Sequence, residues 1–400
     1  MSTVPTSSPD ASTGIVRWQT PALVVGIIGL AISGFGWFSN PLDFYRAYLP
    51  SFLFWFQIVA GCLAVLCLQY VTGGEWGVLI RRPLGAAART MILMAVLFIP
   101  IAIGARTLYP WAHSAVTGAK ESLWFRQGYL RLTAWWIRTA IYFFFWILWA
   151  WRIRVLSLSF AKTRSPYTEL SRRKWAASGL LMMVLTLTFA SIDWVMTLEP
   201  NWYSTMYGIT FLVACGLAAF AFVTFLLTRL ATTKAMAEIL QPKHLRDLGN
   251  LMLAFVMFWA YTAFSEYLLT WYANLREEIP HYMVRQHGLW GVIAATLIVL
   301  HFFLPFSLLL LRSVKDKAST IAVVTVIVLI ARYIGTYWLV TPSYYGGELR
   351  YSLYSLTSLI GIGGLWLWVF INQLKGQSII PIHETWVEEA IREGALNVNA

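Results

Sequence analysis

The stretch LMLAFVMFWAYTAFSEYLLTWYANL, residues 251–275, decides the fold. Its apolar run is long enough to cross a bilayer, which takes roughly 20 residues in a helix. Thr262, Glu266 and Thr270 recur every four residues, so a helix places them in one polar stripe that Asn274 continues. Glu266 lies in the middle of the run. An ionised side chain near the centre of a span costs about 2.5–3.5 kcal/mol on insertion scales. A chain that keeps one there pairs it, protonates it or uses it.

Working outward, the whole chain has the same character. Of its 400 residues 58% are hydrophobic and only 12% charged, with mean hydropathy +0.64. Soluble domains carry about 25% charged residues, so half of that indicates an all-α integral membrane protein. The 21 tryptophans and 19 tyrosines suit aromatic belts at two membrane interfaces. Cys62, Cys67 and Cys215 fall in apolar runs with no CxxC pair, which supports neither a disulfide framework nor a thiolate metal site. Residues 1–19 are polar and rich in Ser and Thr, so the first apolar run is expected to be a true span and not a leader.

Ten apolar segments follow one another, near 20–38, 50–71, 88–109, 134–157, 176–198, 206–230, 250–274, 288–312, 319–341 and 351–374. Prolines, glycine pairs and charge clusters separate them. The N-terminal arm, the connections after spans 2, 4, 6 and 8 together with the span ends that border them, and the C-terminal tail hold 20 of the 30 lysines and arginines. Basic residues stay preferentially on the cytoplasmic side, so both termini are expected there. The net charge of +12 is then a topology signal, with no nucleic acid needed to explain it. The expected organisation is an N-terminal arm (1–19), a membrane domain (20–374) and a cytoplasmic tail (375–400). Residues 384–392 of that tail, with Trp386, Val387 and Ile391, read as a short amphipathic segment suited to a membrane surface or a partner.

Span 5 ends in ASIDWVMTLEP, residues 190–200. Spacings of seven and four put Thr186, Asp193 and Thr197 on one face, with Asp193 about a turn and a half below the helix end. Glu199 stands at the boundary, pointing outward. Two polar stripes facing each other, on spans 5 and 7, would make a wet path from the outer surface inward. The competing reading is structural: Arg138 and Arg332 also lie inside spans, and each is able to pair with Asp193 or Glu266 and lock helices together. Relays are often built from pairs, so both readings stand.

His301 lies well inside span 8, four residues before Pro305. Its plainer role is donation to a backbone carbonyl that the proline leaves unpaired; a proton or quinol role is the sharper one. Bis-histidine haem needs two axial ligands, and no second histidine is at depth. His113, His281 and His287 belong to outward connections, His244 to an inward one and His383 to the tail. Haem, iron–sulfur cluster and metal are therefore not expected on this chain. Pro100 and Pro305 are expected to kink spans 3 and 8, and Gly361, Gly363 and Gly364 to give span 10 a surface for close packing.

Four stretches carry a resemblance. They are HLRDLG (244–249) running on through FVMFWAY (255–261) and FSEYLLTWYANLREE (264–278); SIDWVMTLEPNWYST (191–205); HFFLPF (301–306) with Arg312 and Lys315; and YWLVTP (337–342). Together they resemble the polysulfide-reductase membrane-subunit (NrfD-like) family, in the form found in bacterial alternative complex III, from span 1 to span 10 in matching order. The resemblance implies two four-helix bundles, spans 2–5 and 6–9, flanked by spans 1 and 10. It implies a subunit of a quinol:electron-acceptor oxidoreductase in a bacterial cell membrane, with quinol or menaquinol as the possible ligand. Its expected partners are a second NrfD-like membrane subunit, an extracytoplasmic iron–sulfur subunit and c-type haem subunits. On that reading Asp193 and Glu266 carry protons, with Glu199, Arg332 and His301 as weaker candidates, and Trp194, Trp202 and Tyr261 shape an outward quinol pocket.

The chain departs from the family pattern in three places. Relatives usually have Gln at the position of Glu266, Pro at that of Arg276, and an acid at that of Gly335. Losing an acid from span 9 while gaining Glu266 in span 7 moves a carboxylate between neighbouring helices. Two other roles remain open on the sequence: a structural anchor of the same complex, and a free-standing ion transporter. Transporter folds often break helices at matching points of two repeats. Pro100 and Pro305, in spans 3 and 8, do not match in that way.

Overall fold

Among the described residues ten helices are long and apolar enough to cross a membrane. The computed structural model describes residues 13–112, 129–232, 236 and 240–375; the amphipathic tail segment, His113 and His383 lie outside them. The spans are Gly14–Ser39, Pro41–Thr72, Arg81–Ile103, Leu132–Thr163, Pro166–Leu198, Tyr207–Leu230, Pro242–Ala273, Gly288–Leu310, Ala318–Tyr345 and Leu353–Leu374, numbered 1 to 10. No strand occurs among the described residues. The class read from composition is the one observed.

Local chemistry sets the helix ends. Asn40 accepts from the Asp43 amide at 3.4 Å, with Pro41 opening span 2 and Gly73 at φ 69° closing it. Gln241 and His244 cap the start of span 7 reciprocally, the Gln241 amide donating to His244 Nδ1 at 3.2 Å. His244 thereby acquires a structural role. Asn274, expected to extend the polar stripe, instead ends span 7 in the left-handed conformation at φ 50°.

Spans 2, 3, 4 and 5 pack in a ring of neighbours, as do spans 6, 7, 8 and 9. The two bundles meet along spans 2 and 6, and both of these helices are apolar around their full circumference and deeply buried, as such helices must be. A Cβ on Gly61 would stand 1.9 Å from the Cys215 carbonyl oxygen, so glycine sets the distance between bundles. Spans 1 and 10 do not take opposite flanks. They pair with each other, Gly26 and Gly29 against Gly364 and Gly361, and span 10 rests on spans 2 and 3. Ser33 Oγ bonds to Thr357 Oγ1 at 2.9 Å and accepts from Ser358 Oγ at 3.1 Å across that pair. The small-residue surface expected on span 10 is present, and Gly363 adds to it by receiving Trp55 of span 2. All three cysteines are free and buried.

One end of the molecule gathers the connections after spans 2, 4, 6 and 8 and is called the basic end below. There Arg246 pairs with Asp316 at 2.8 Å and Lys315 Nζ donates to Asn250 Oδ1 at 2.7 Å. The connection after span 8 is thus tied to the start of span 7.

Candidate functional site

Among the described residues two carboxylates are buried, Asp193 and Glu266, and they lie in different bundles. The polar stripes of spans 5 and 7 do not face each other. Each turns into its own bundle.

Asp193 is in the last turn of its α-helix, which ends at Trp194 before a single 3-10 turn, Met196–Leu198. The sequence placed it about a turn and a half below the helix end; the α-helix instead closes one residue after it, about a turn sooner. A negative charge here meets the negative end of the helix dipole, so it needs compensation. Arg138 supplies it in a bidentate pair, Nε to Oδ2 and Nη2 to Oδ1, both 2.8 Å, and the Tyr142 hydroxyl donates to Oδ2 at 2.8 Å. Tyr129 stacks under the guanidinium at 3.8 Å and accepts through its carbonyl from Nη1. The structural pairing expected as one alternative is the arrangement found for Asp193. Thr186 accepts from Trp146 Nε1 at 2.8 Å, and Thr197 donates to the Asp193 carbonyl at 2.9 Å.

Glu266 is different. It lies seven residues before the end of span 7, about 10 Å along the helix, and so well off the centre. Its carboxylate faces the hydroxyls of Ser204 and Thr210, with no ion pair in hydrogen-bond reach among the described residues. The Arg285 charge is its nearest electrostatic counterpart, and Tyr207 and Tyr282 share its surroundings.

Beside it stands a cluster that the sequence did not assemble. Glu199 does not point outward. It accepts from Arg285 Nη2 at 2.6 Å, from His281 Nδ1 at 2.8 Å and from the Ser343 hydroxyl at 2.6 Å. A carboxylate only accepts, which puts the imidazole proton on Nδ1. Trp202 stacks on the His281 ring at 3.8 Å, nearly parallel. Burial alone would raise the Glu199 carboxyl, but His281, Arg285 and Ser343 outweigh it and hold the group at about 2. Burial and the Arg285 charge push His281 down to about 4, so at neutral pH the pair is an anion against a neutral imidazole. His281 and Arg285 belong to the short helix Ile279–Gln286. Their four-residue spacing in a segment too short to span was the signal that would have found them.

No family model and no curated protein matches this chain.

A third polar centre lies deep in the second bundle. Arg332 pairs with neither carboxylate; its Nη2 donates to Gln57 Oε1 of span 2 at 2.8 Å, and its Nε has no acceptor among the described residues. His301 is fully buried beside Trp259, ring centroids 3.8 Å apart, and neither ring nitrogen has a partner among the described residues. The expected donation to a freed carbonyl is absent. Span 8 meets Pro305 instead with a π-turn over Ile298–Phe303, in which the Leu304 amide donates to the Val299 carbonyl five residues back.

The three residues expected to shape one quinol pocket are dispersed. Trp194 is fully buried among Phe52, Phe56, Phe98 and Phe143, and Trp202 is committed to His281. Tyr261 is 65% exposed on the outside of span 7.

Proposed function

We propose that the chain is a membrane subunit of a quinol:electron-acceptor oxidoreductase of the alternative complex III type, the ActF position in that complex. It contributes a proton path and carries no redox centre of its own. Haem and iron–sulfur clusters belong to partner subunits on the side opposite the basic end, and the basic end faces the cytoplasm of a bacterial cell. Quinol binds at the contact with the second NrfD-like membrane subunit, since Trp194, Trp202 and Tyr261 build no pocket within this chain.

One observation carries the reading: Glu266 is a buried carboxylate without an ion-pair partner among the described residues. A relay group must exchange a proton at small cost, and a fixed pair with arginine holds a carboxylate in its charged form. Asp193 is committed to Arg138 and Tyr142. Glu266 has hydroxyl neighbours, which donate to the carboxylate and accept from the acid equally well. Ser204 and Thr210 connect it towards the Glu199 cluster, at the end opposite the basic one, while His301 and Arg332 offer polar atoms farther in that have no partner among the described residues. The relay therefore narrows to Glu266, and Asp193 serves with Arg138 as a lock between spans 4 and 5.

The test is purification of the tagged protein in mild detergent, read by haem absorbance and subunit mass spectrometry, for the wild type and Glu266→Gln. Both should yield c-type haem, an iron–sulfur subunit and a second membrane subunit. Proton-coupled quinol turnover should fall on the order of 100-fold in the variant, the lower end of what a positioned proton carrier contributes. Full turnover in Glu266→Gln would make the chain a structural anchor. A lone colourless polypeptide that moves ions in liposomes would make it a transporter.

A further inference from the structure

At the basic end a cleft of about 120 Å³ opens among spans 2, 3, 4 and 5. That is well above the ~10–15 Å³ that seats a single water. Arg81, Arg82, Arg89, Arg154 and Arg172 all line it, and no carboxylate is among its lining residues. Neighbours account for only part of this charge. Arg172 pairs with Glu169 behind the wall. Arg81 donates to Gln69 Oε1 at 2.6 Å among its contacts, and Arg89 donates to the Gln373 carbonyl at 2.6 Å, an acceptor without charge. Arg82 and Arg154 make no ion pair with any described residue, and both charges reach Arg89.

Two further donors are unused. Nε of Arg89 and Nε of Arg172 are buried without an acceptor among the described residues, which native interiors rarely leave so. The rest of the wall is apolar, with Leu66, Ile153 and Leu158, or hydroxylic, where Tyr70 and Ser157 bond at 2.8 Å. Guanidinium forks converging from three helices suit an anion with more than two acceptor oxygens. Basic clefts between spans at this level of a membrane meet anionic headgroups.

We propose that this cleft binds a phosphate group, carried by an anionic phospholipid of the bilayer or free in solution. The arginines of span 3 (Arg82, Arg89) and span 4 (Arg154) grip its oxygens, and Leu66, Ile153 and Leu158 lie along an acyl chain when the phosphate belongs to a lipid.

The experiment uses the full chain in mild detergent, delipidated and then offered phosphatidylglycerol, phosphatidylcholine or inorganic phosphate. Binding is read by native mass spectrometry and by the thermal unfolding midpoint. Wild type should retain phosphatidylglycerol over phosphatidylcholine, and R82Q/R154Q should lose that retention by roughly 30-fold for the pair. Arg154 is exposed, so R154Q alone, least able to disturb packing, must show part of the loss. Inorganic phosphate that raises the midpoint and displaces the lipid would assign the site to soluble phosphate; no effect of phosphate, with phosphatidylglycerol retained, assigns it to lipid. Equal retention of both lipids together with no phosphate effect, or a folded R82Q/R154Q that binds like wild type, overturns the proposal.

Discussion

Buried charges in this chain divide by whether a partner fixes them. Asp193 takes three donors from one neighbouring helix, two of them from Arg138. Removing the arginine alone leaves an uncompensated buried carboxylate, which costs about 3–5 kcal/mol. Arg138→Ala should therefore lower the unfolding midpoint in detergent sharply, and Arg138→Ala with Asp193→Asn should recover much of the loss. Equal midpoints for the single and double variants would mean the pair does not lock spans 4 and 5. At the Glu199 cluster the same logic sets a pH dependence. His281 is held neutral, with a folded value of about 4 against 6.5 for the free side chain. The unfolded chain takes the proton first, so stability falls as pH drops from about 6.5 to about 4. Glu199, held at about 2 against 4.5, extends the loss from about 4.5 down to about 2, as its own carboxylate is protonated and its charged contacts are lost. His281→Asn should flatten the upper part of the profile and leave the lower part. The sequence made Asp193 and Glu266 legible because a charge inside an apolar run stands out. It hid Arg285, since an arginine between spans reads as a topology signal until a partner 86 residues earlier is seen beside it.

At the scale of elements, glycine spacing decides which helices touch. Gly361 and Gly364 were readable as a packing surface because they recur on one face of span 10. Gly61 was not, being a single glycine in an apolar run, although it sets the closest approach of the two bundles. Gly61→Ala must push spans 2 and 6 apart or bend one of them. Overpacking of this kind costs typically about 1–3 kcal/mol, so the variant should unfold earlier in detergent, whereas Ala at the open position Gly34, where a Cβ meets nothing within 4 Å, should be neutral. Pro305 was equally plain as a helix breaker. How span 8 would absorb it was beyond the sequence, because a π-turn and a kink start from the same proline. The difference matters for His301, whose ring nitrogens remain without partners among the described residues.

For the molecule as a whole, burial is uneven. Spans 2 and 6 form the axis, while spans 7 and 8 turn most of their surface outward. Phe258, Tyr261, Phe264 and Tyr272 line an exposed face of span 7, broad enough for lipid or for a second membrane subunit. Composition and hydropathy disclosed the ten spans because lipid leaves a helix little choice; which face meets a partner has no such periodic signature. The three native cysteines, each with 0% exposure, have a practical consequence. A membrane-impermeant maleimide finds no native thiol at either surface, so sidedness is measurable without first stripping the chain of sulfur. Glu348→Cys, at the end opposite the basic one, should be labelled on intact cells. Arg173→Cys, at the basic end, should react only once the cells are opened, and the reverse pattern would invert the molecule in its membrane.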